Sequence, residues 1–238
     1  MSEAPHGLAS WPLDWFFSKP CPLCRQPLPP PGWAPRLCAS CHDALLLPGQ
    51  GLRGTEPLPW WAVGSYHGAY RRLLLELRQR PHQERMAALL REMEPPSFPG
   101  RVAPLLVSVP SWKQRANPLP ALMAQLAERR WQWAQADLLR RARPVLGQHH
   151  LNHVMRLENQ RGSFNCQRQP RAGEARRHPV ILVDDILTTG ATALSAAETL
   201  KQAGWRVHGL ICLARTPRHR KAVDGDLRFT GVQADTPG

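Results

Sequence analysis

The stretch from Val180 to Thr192, VILVDDILTTGAT, constrains the fold of this chain more than any other segment. A continuous apolar run such as PVILVD suits a parallel strand buried on both faces. It leads through a glycine-bearing turn into ATALSAAETLKQA, whose apolar positions recur at helical spacing, with Gly204 as the expected C′ residue. RVHGLICLA then reads as another buried strand. The unit is βαβ, and the expected class is α/β, a parallel sheet flanked by helices. At a strand-to-helix junction, unpaired N–H groups and the positive end of the helix dipole favour an anion. Thr188, Thr189 and Thr192 place hydroxyl donors there, while Gly190 lets the backbone close round a phosphate without a Cβ in the way. TTG alone reads more simply as an ordinary turn with a threonine cap.

The full string narrows the choice. Asp184 and Asp185 stand just before the turn, and their carboxylates can accept hydrogen bonds from vicinal hydroxyls, so one motif addresses both ends of a ribose 5-phosphate. Four apolar residues, two carboxylates, an apolar pair and TTGAT resemble the 5-phosphoribosyl 1-diphosphate (PRPP) signature of type I phosphoribosyltransferases at every position. The resemblance implies that Asp184 and Asp185 contact the ribose hydroxyls and are the catalytic pair, and that Thr188, Thr189, Gly190, Ala191 and Thr192 hold the 5-phosphate. It also implies Mg2+ on the diphosphate. In type I relatives the strand-end loop near Ser108, Pro110 and Ser111 approaches the diphosphate.

The first fifty residues have loop composition, with PLPPPGWAP between two cysteine pairs. Cys21-Pro-Leu-Cys24 and Cys38-Ala-Ser-Cys41 are separated by 13 residues, a ligand count and spacing suited to tetrahedral zinc. The module is too small to bury a core of its own, so a closed four-cysteine site would be structural. Residues 1–56 are expected to form this zinc module and a Pro/Gly-rich joint, and residues 57–238 the phosphoribosyltransferase-like domain. Trp11, Trp15, Trp33, Trp60 and Trp61 are expected to pack round the module and the joint. Within the larger part, WWAVGSYHG suggests a strand, AYRRLLLELRQ and RMAALLREM helices, LLVSVP a buried strand, and Leu119 to Trp131 a helix. Asp137 to Arg143 fits a strand or a helix equally.

A zinc module ahead of such a domain resembles the ComF family. Leu139, Arg141, Gln148, Leu151, Arg156, Asn159, Gly162 and Phe164 look like that family's Leu-x-Arg to Gly-x-Phe segment, and the likeness covers nearly the whole chain. It implies a role in DNA uptake and natural competence, handling of single-stranded DNA, and partnership with a DNA-uptake helicase. One departure stands out: after Pro110 the chain reads SWKQRANPLPALMAQLA, and the family's Gly-Phe-Asn-Gln is absent. Pro118 and Pro120 stiffen this segment. A protein that binds PRPP but turns it over poorly is the expectation; a working transferase and a PRPP or nucleotide sensor are the alternatives.

Charge agrees with a polyanionic partner. The chain carries 31 Lys and Arg against 18 Asp and Glu, and nine of the arginines fall between Arg140 and Arg177, beside only Glu158 and Glu174. Such a field attracts nucleic acid or phosphorylated small molecules, although a solvated basic surface has the same composition. Gln148 to Phe164 fits either a lid over the diphosphate or an exposed polar helix with Leu151, Val154 and Leu157 buried. No apolar run approaches the roughly 18 residues of a membrane span. The start lacks a secretory pattern, and a cytoplasmic location is expected.

Overall fold

A computed structural model describes residues 20–28, 36–98, 102–111, 117–142 and 162–217. Its centre is β6 (Val180–Leu187), whose Val180 to Val183 are wholly buried. These residues take parallel partners on both sides: β3 (Leu105–Ser108) pairs Leu105 with Val180, and β7 (Val207–Arg215) pairs Leu210 with Leu182. β2 (Trp60–Ser65) lies parallel to β7, and β1 (Leu52–Gly54) closes that edge antiparallel, giving the order β1-β2-β7-β6-β3. The apolar run predicted a strand, but β6 continues through both aspartates to Leu187. β1 lies inside the segment whose composition reads as a joint.

Two cores cover the two faces. Ile181 and Val183 face α2 (Gly68–Gln79), α3 (Gln83–Arg91) and α4 (Leu119–Trp131), which bury Leu74, Leu77, Met86, Leu89, Leu119 and Met123 against them. Val180 and Leu182 face α6 (Ala191–Gln202), whose Ala193, Ala196 and Ala197 permit close approach to the sheet. Within the undecided segment at 137–143 the described residues hold a strand: β4 (Leu139–Arg141) pairs antiparallel with β5 (Phe164–Cys166), and Leu139 and Phe164 join the second core. α5 (Glu174–Arg177) is one turn before β6.

The helix after β3 therefore covers one face and the helix after β6 the other. At such a switch point the two connections diverge and leave a crevice at the carboxyl ends of the strands. The β3 ladder ends at Ser108 opposite Val183, so Asp184 and Asp185 stand at the mouth of that crevice.

The cysteine segment does not stand apart. α1 (Ala39–Ala44) follows Cys38, and Cys21, Leu28, Leu37, Cys38, Leu45 and Leu47 belong to the same core as Tyr70, Leu74 and Leu77. Of the tryptophans expected round the module and the joint, Trp60 does lie on the joint, against Gly54 and donating to the Glu56 carbonyl, while Trp61 stacks on His208 of β7. For Trp61 the strand direction overrides the sequence proximity. Trp11, Trp15 and Trp33 lie outside the described residues.

Candidate functional site

Successive side chains on a strand point to opposite faces, so the two aspartates have different surroundings although their side chains still meet. Asp185 turns toward α2 and α4 and is only 4% exposed. Its Oδ2 accepts hydrogen bonds from Arg78 Nε at 2.5 Å and Asn117 Nδ2 at 2.7 Å, and its Oδ1 accepts the Ile186 N–H at 2.9 Å. Asp185 is therefore engaged from three directions. Asp184 is half-buried, with Cys212 as its strand neighbour, and both Arg78 and Arg141 feel its charge. Asp184 Oδ1 accepts the Asp185 N–H at 2.8 Å.

The charges are coupled. Burial, and then the charge of Asp185, push the Asp184 carboxyl well above the usual carboxylate range, against the pull of the Asp185 N–H and the Arg78 charge. Burial works against the Arg78 cation, yet its bond to Asp185 outweighs this and raises its pKa. Arg141 is lowered to about 10 by burial, partly offset by Asp184. Its guanidinium lies 4.1 Å over the Phe164 ring, and its Nε donates to the Pro110 carbonyl at 2.9 Å. The strand-end loop of Ser108, Pro110 and Ser111 is thereby tied to the Asp184 side of the crevice.

Beyond Leu187 the chain turns through Thr188 and Thr189 to Gly190, which precedes α6 at φ +84°. A Cβ on Gly190 would lie 2.2 Å from Pro57 Cγ, so glycine is required by packing as well as by conformation. Thr189 Oγ1 accepts the Ala191 N–H at 3.4 Å, leaving Thr188 as the exposed hydroxyl of the turn. Arg215 Nη1 donates to the carbonyls of Leu187 and Thr188 and fixes the approach to the turn from β7. The crevice thus joins a partly open carboxylate, a backbone turn at a helix start and a flanking arginine, a set able to receive a hydroxylated phosphate ester.

Arg78, Asn117 and Arg141 complete this site, and sequence reasoning gave none of them this part. Asn117 lies in the very segment where the family's Gly-Phe-Asn-Gln is missing. Among the arginines expected to attract nucleic acid, Arg140 is paired with Asp137 and Arg168 with Glu174, while Arg171, Arg176 and Arg177 are exposed. Arg143, Arg156 and Arg161 lie outside the described residues, as do Gln148, Leu151, Asn159, Lys221 and the three histidines at 149, 150 and 153.

The second site is the cysteine cluster. The Sγ atoms of Cys21, Cys24, Cys38 and Cys41 all lie within 4.8 Å of one another, with Cys24 and Cys38 at 3.4 Å. Tetrahedral coordination at about 2.3 Å separates sulfurs by roughly 3.8 Å, so the donor set fits a metal ion such as zinc. Burial opposes ionisation of Cys21, but the N–H groups of Cys24, Cys38 and Leu23 together bring its pKa to about 6. Cys38 and Cys41 are pushed up, by burial first and then by neighbouring thiols. One thiolate suppresses the next, and a bound cation removes that conflict.

No family model matches the chain. Curated relatives do: the DNA utilization protein YhgH of Escherichia coli K12 is 30% identical over 229 aligned residues, covering 82% of this chain and 96% of that protein. The chain belongs to the family of YhgH. The proteins of the same name from Salmonella typhi, at 30% identity, and Shigella flexneri, at 29%, are covered to the same extents. YhgH is a ComF-family member, so this finding agrees with the resemblance carried by the cysteine pairs and VILVDDILTTGAT. None of the described helices is long and apolar enough to cross a membrane.

Proposed function

We propose that this YhgH relative serves DNA utilization as a cytoplasmic PRPP-binding protein, taking PRPP or a related ribose 5-phosphate in the β3–β6 crevice. The observation that carries the reading is Asp184, half-buried at the crevice mouth, running directly into the Thr188–Gly190 turn at the start of α6. In this reading Asp184 and Asp185 serve the ribose end, and Thr188, Thr189, Gly190, Ala191 and Thr192 the 5-phosphate. Mg2+ accompanies the diphosphate beside Ser108, Pro110 and Ser111. The four cysteines hold structural zinc. Single-stranded DNA follows the exposed Arg171, Arg176 and Arg177, and a DNA-uptake helicase is the protein partner in keeping with the family.

A second reading, a working phosphoribosyltransferase, is favoured by one observation: Arg141 bonds the Pro110 carbonyl and feels the charge of Asp184, and a cation there would stabilise a departing diphosphate. Calorimetry with PRPP and Mg2+, with single-stranded DNA, and with both together tests the proposal, alongside diphosphate release with candidate nitrogen acceptors. Saturable PRPP binding, DNA binding that weakens steeply with salt, and little release are expected. Absence of PRPP binding refutes the ligand, a flat salt response refutes the nucleic acid, and multiple turnovers establish the second reading.

A further inference from the structure

We propose that Arg78 and Asn117 are positioning residues: they hold Asp185 away from the ligand and, through it, fix Asp184 as the carboxylate that receives the sugar hydroxyls. This rests on the ribose 5-phosphate reading of the crevice and divides the labour of two adjacent acids that sequence alone treats as equivalent.

The division follows from hydrogen-bond accounting. A carboxylate offers about four acceptor positions. Asp185 fills three of them with Arg78, Asn117 and its neighbour's N–H, and at 4% exposure it has almost no surface to present. A ligand hydroxyl reaching it would compete with a charge-assisted bond at 2.5 Å from the half-buried Arg78, a poor exchange. Asp184 keeps more acceptor capacity, since it accepts the Asp185 N–H and otherwise meets only the Asp185 side chain among the hydrogen bonds described for it, and it retains surface.

That bond also transmits position. The Asp185 peptide N–H anchors Asp184 Oδ1, and the Asp185 side chain anchors the same residue to two distant elements. Arg78 lies in the last turn of α2. Asn117 precedes α4, where its Oδ1 accepts the Leu119 N–H at 3.2 Å while its Nδ2 reaches Asp185. The amide thus ties the start of α4 to the strand. Without these two side chains Asp185 would be a buried anion without its cation, and the backbone carrying Asp184 would lose its reference.

The test is a thermodynamic cycle read with two probes, ribose 5-phosphate and inorganic phosphate, with thermal melting as a check on folding. Asp184→Asn, Asn117→Ala, Arg78→Lys and the double variants of each with Asp184→Asn are compared with the wild type. Asp184→Asn is expected to weaken ribose 5-phosphate binding by about tenfold or more and to leave inorganic phosphate unchanged. Asn117→Ala and the conservative Arg78→Lys are expected to weaken ribose 5-phosphate alone by about three- to tenfold, and to add nothing once Asp184 is already Asn. A general structural defect would weaken both probes and would add in the double variants. Equal losses for both probes, full additivity, or unchanged ribose 5-phosphate binding in the two single variants overturns the proposal. If the wild type binds inorganic phosphate and ribose 5-phosphate equally, the ligand reading falls and this one with it; additivity over a wild type that prefers the sugar phosphate removes only this one.

Discussion

Replacing Gly190 with alanine should cost this protein more than replacing Gly204, although both glycines occupy the left-handed region. Gly190 has φ +84° and Gly204 φ +93°, so an alanine at either pays a similar conformational penalty of about 1–2 kcal/mol. Their surroundings differ. A Cβ at 204 would meet Pro170 Cγ at 3.5 Å, an ordinary contact, whereas at 190 it would lie 2.2 Å from Pro57 Cγ and 3.0 Å from Pro57 Cδ. Neither ring atom can swing aside as a long side chain could, so overpacking adds about 1–3 kcal/mol at 190. Urea unfolding of the two variants should give about 1–2 kcal/mol for Gly204→Ala and about 2–5 kcal/mol for Gly190→Ala, with equal slopes. The displaced turn should also weaken ribose 5-phosphate binding in Gly190→Ala and spare it in Gly204→Ala. Equal costs at the two positions, or unaltered binding in Gly190→Ala, would refute the view that Pro57 and Gly190 set the turn.

Two further outcomes are expected. Protein purified without added metal should contain about one zinc per chain, and Cys38→Ser should lose it and melt at lower temperature; a metal-free protein with the wild-type melting curve would exclude a structural metal. The raised pKa of Asp184 means that its ionisation costs the folded state stability as pH climbs above the unfolded value near 3.9. Asp184→Asn should therefore gain on the wild type in urea midpoint as pH rises from about 4, with no such trend below it. A gap that is constant or that shrinks with pH would contradict the assigned burial.

What the sequence made legible was local. VILVDDILTTGAT announces strand, turn and helix because each residue acts on its neighbours, and Leu119 to Trp131 was readable because prolines mark its start and an apolar stripe its length. The paired CxxC spacing foretold a cluster for the same reason. The partners of Asp185 were hidden because Arg78 is 107 positions away and Asn117 is 68, and neither has a spacing pattern that reports such a contact. Arg141 was visible as a motif letter, but its seat on Phe164 and Pro110 depends on how two short strands pair. β1 was masked by Gly and Pro on either side of three residues, too few for an alternation to register.

The shared core beneath α2 gives the cysteine cluster a reach beyond its own loop. Cys21 and Cys38 pack with Leu74 and Leu77, and the residue after Leu77 is Arg78, the cation that grips Asp185. One helix therefore packs on the cysteine cluster at its flank and bonds a carboxylate at its tip. Where occupancy of one site shifts the helix, thermodynamic reciprocity requires occupancy of the other to shift the metal's affinity by the same factor.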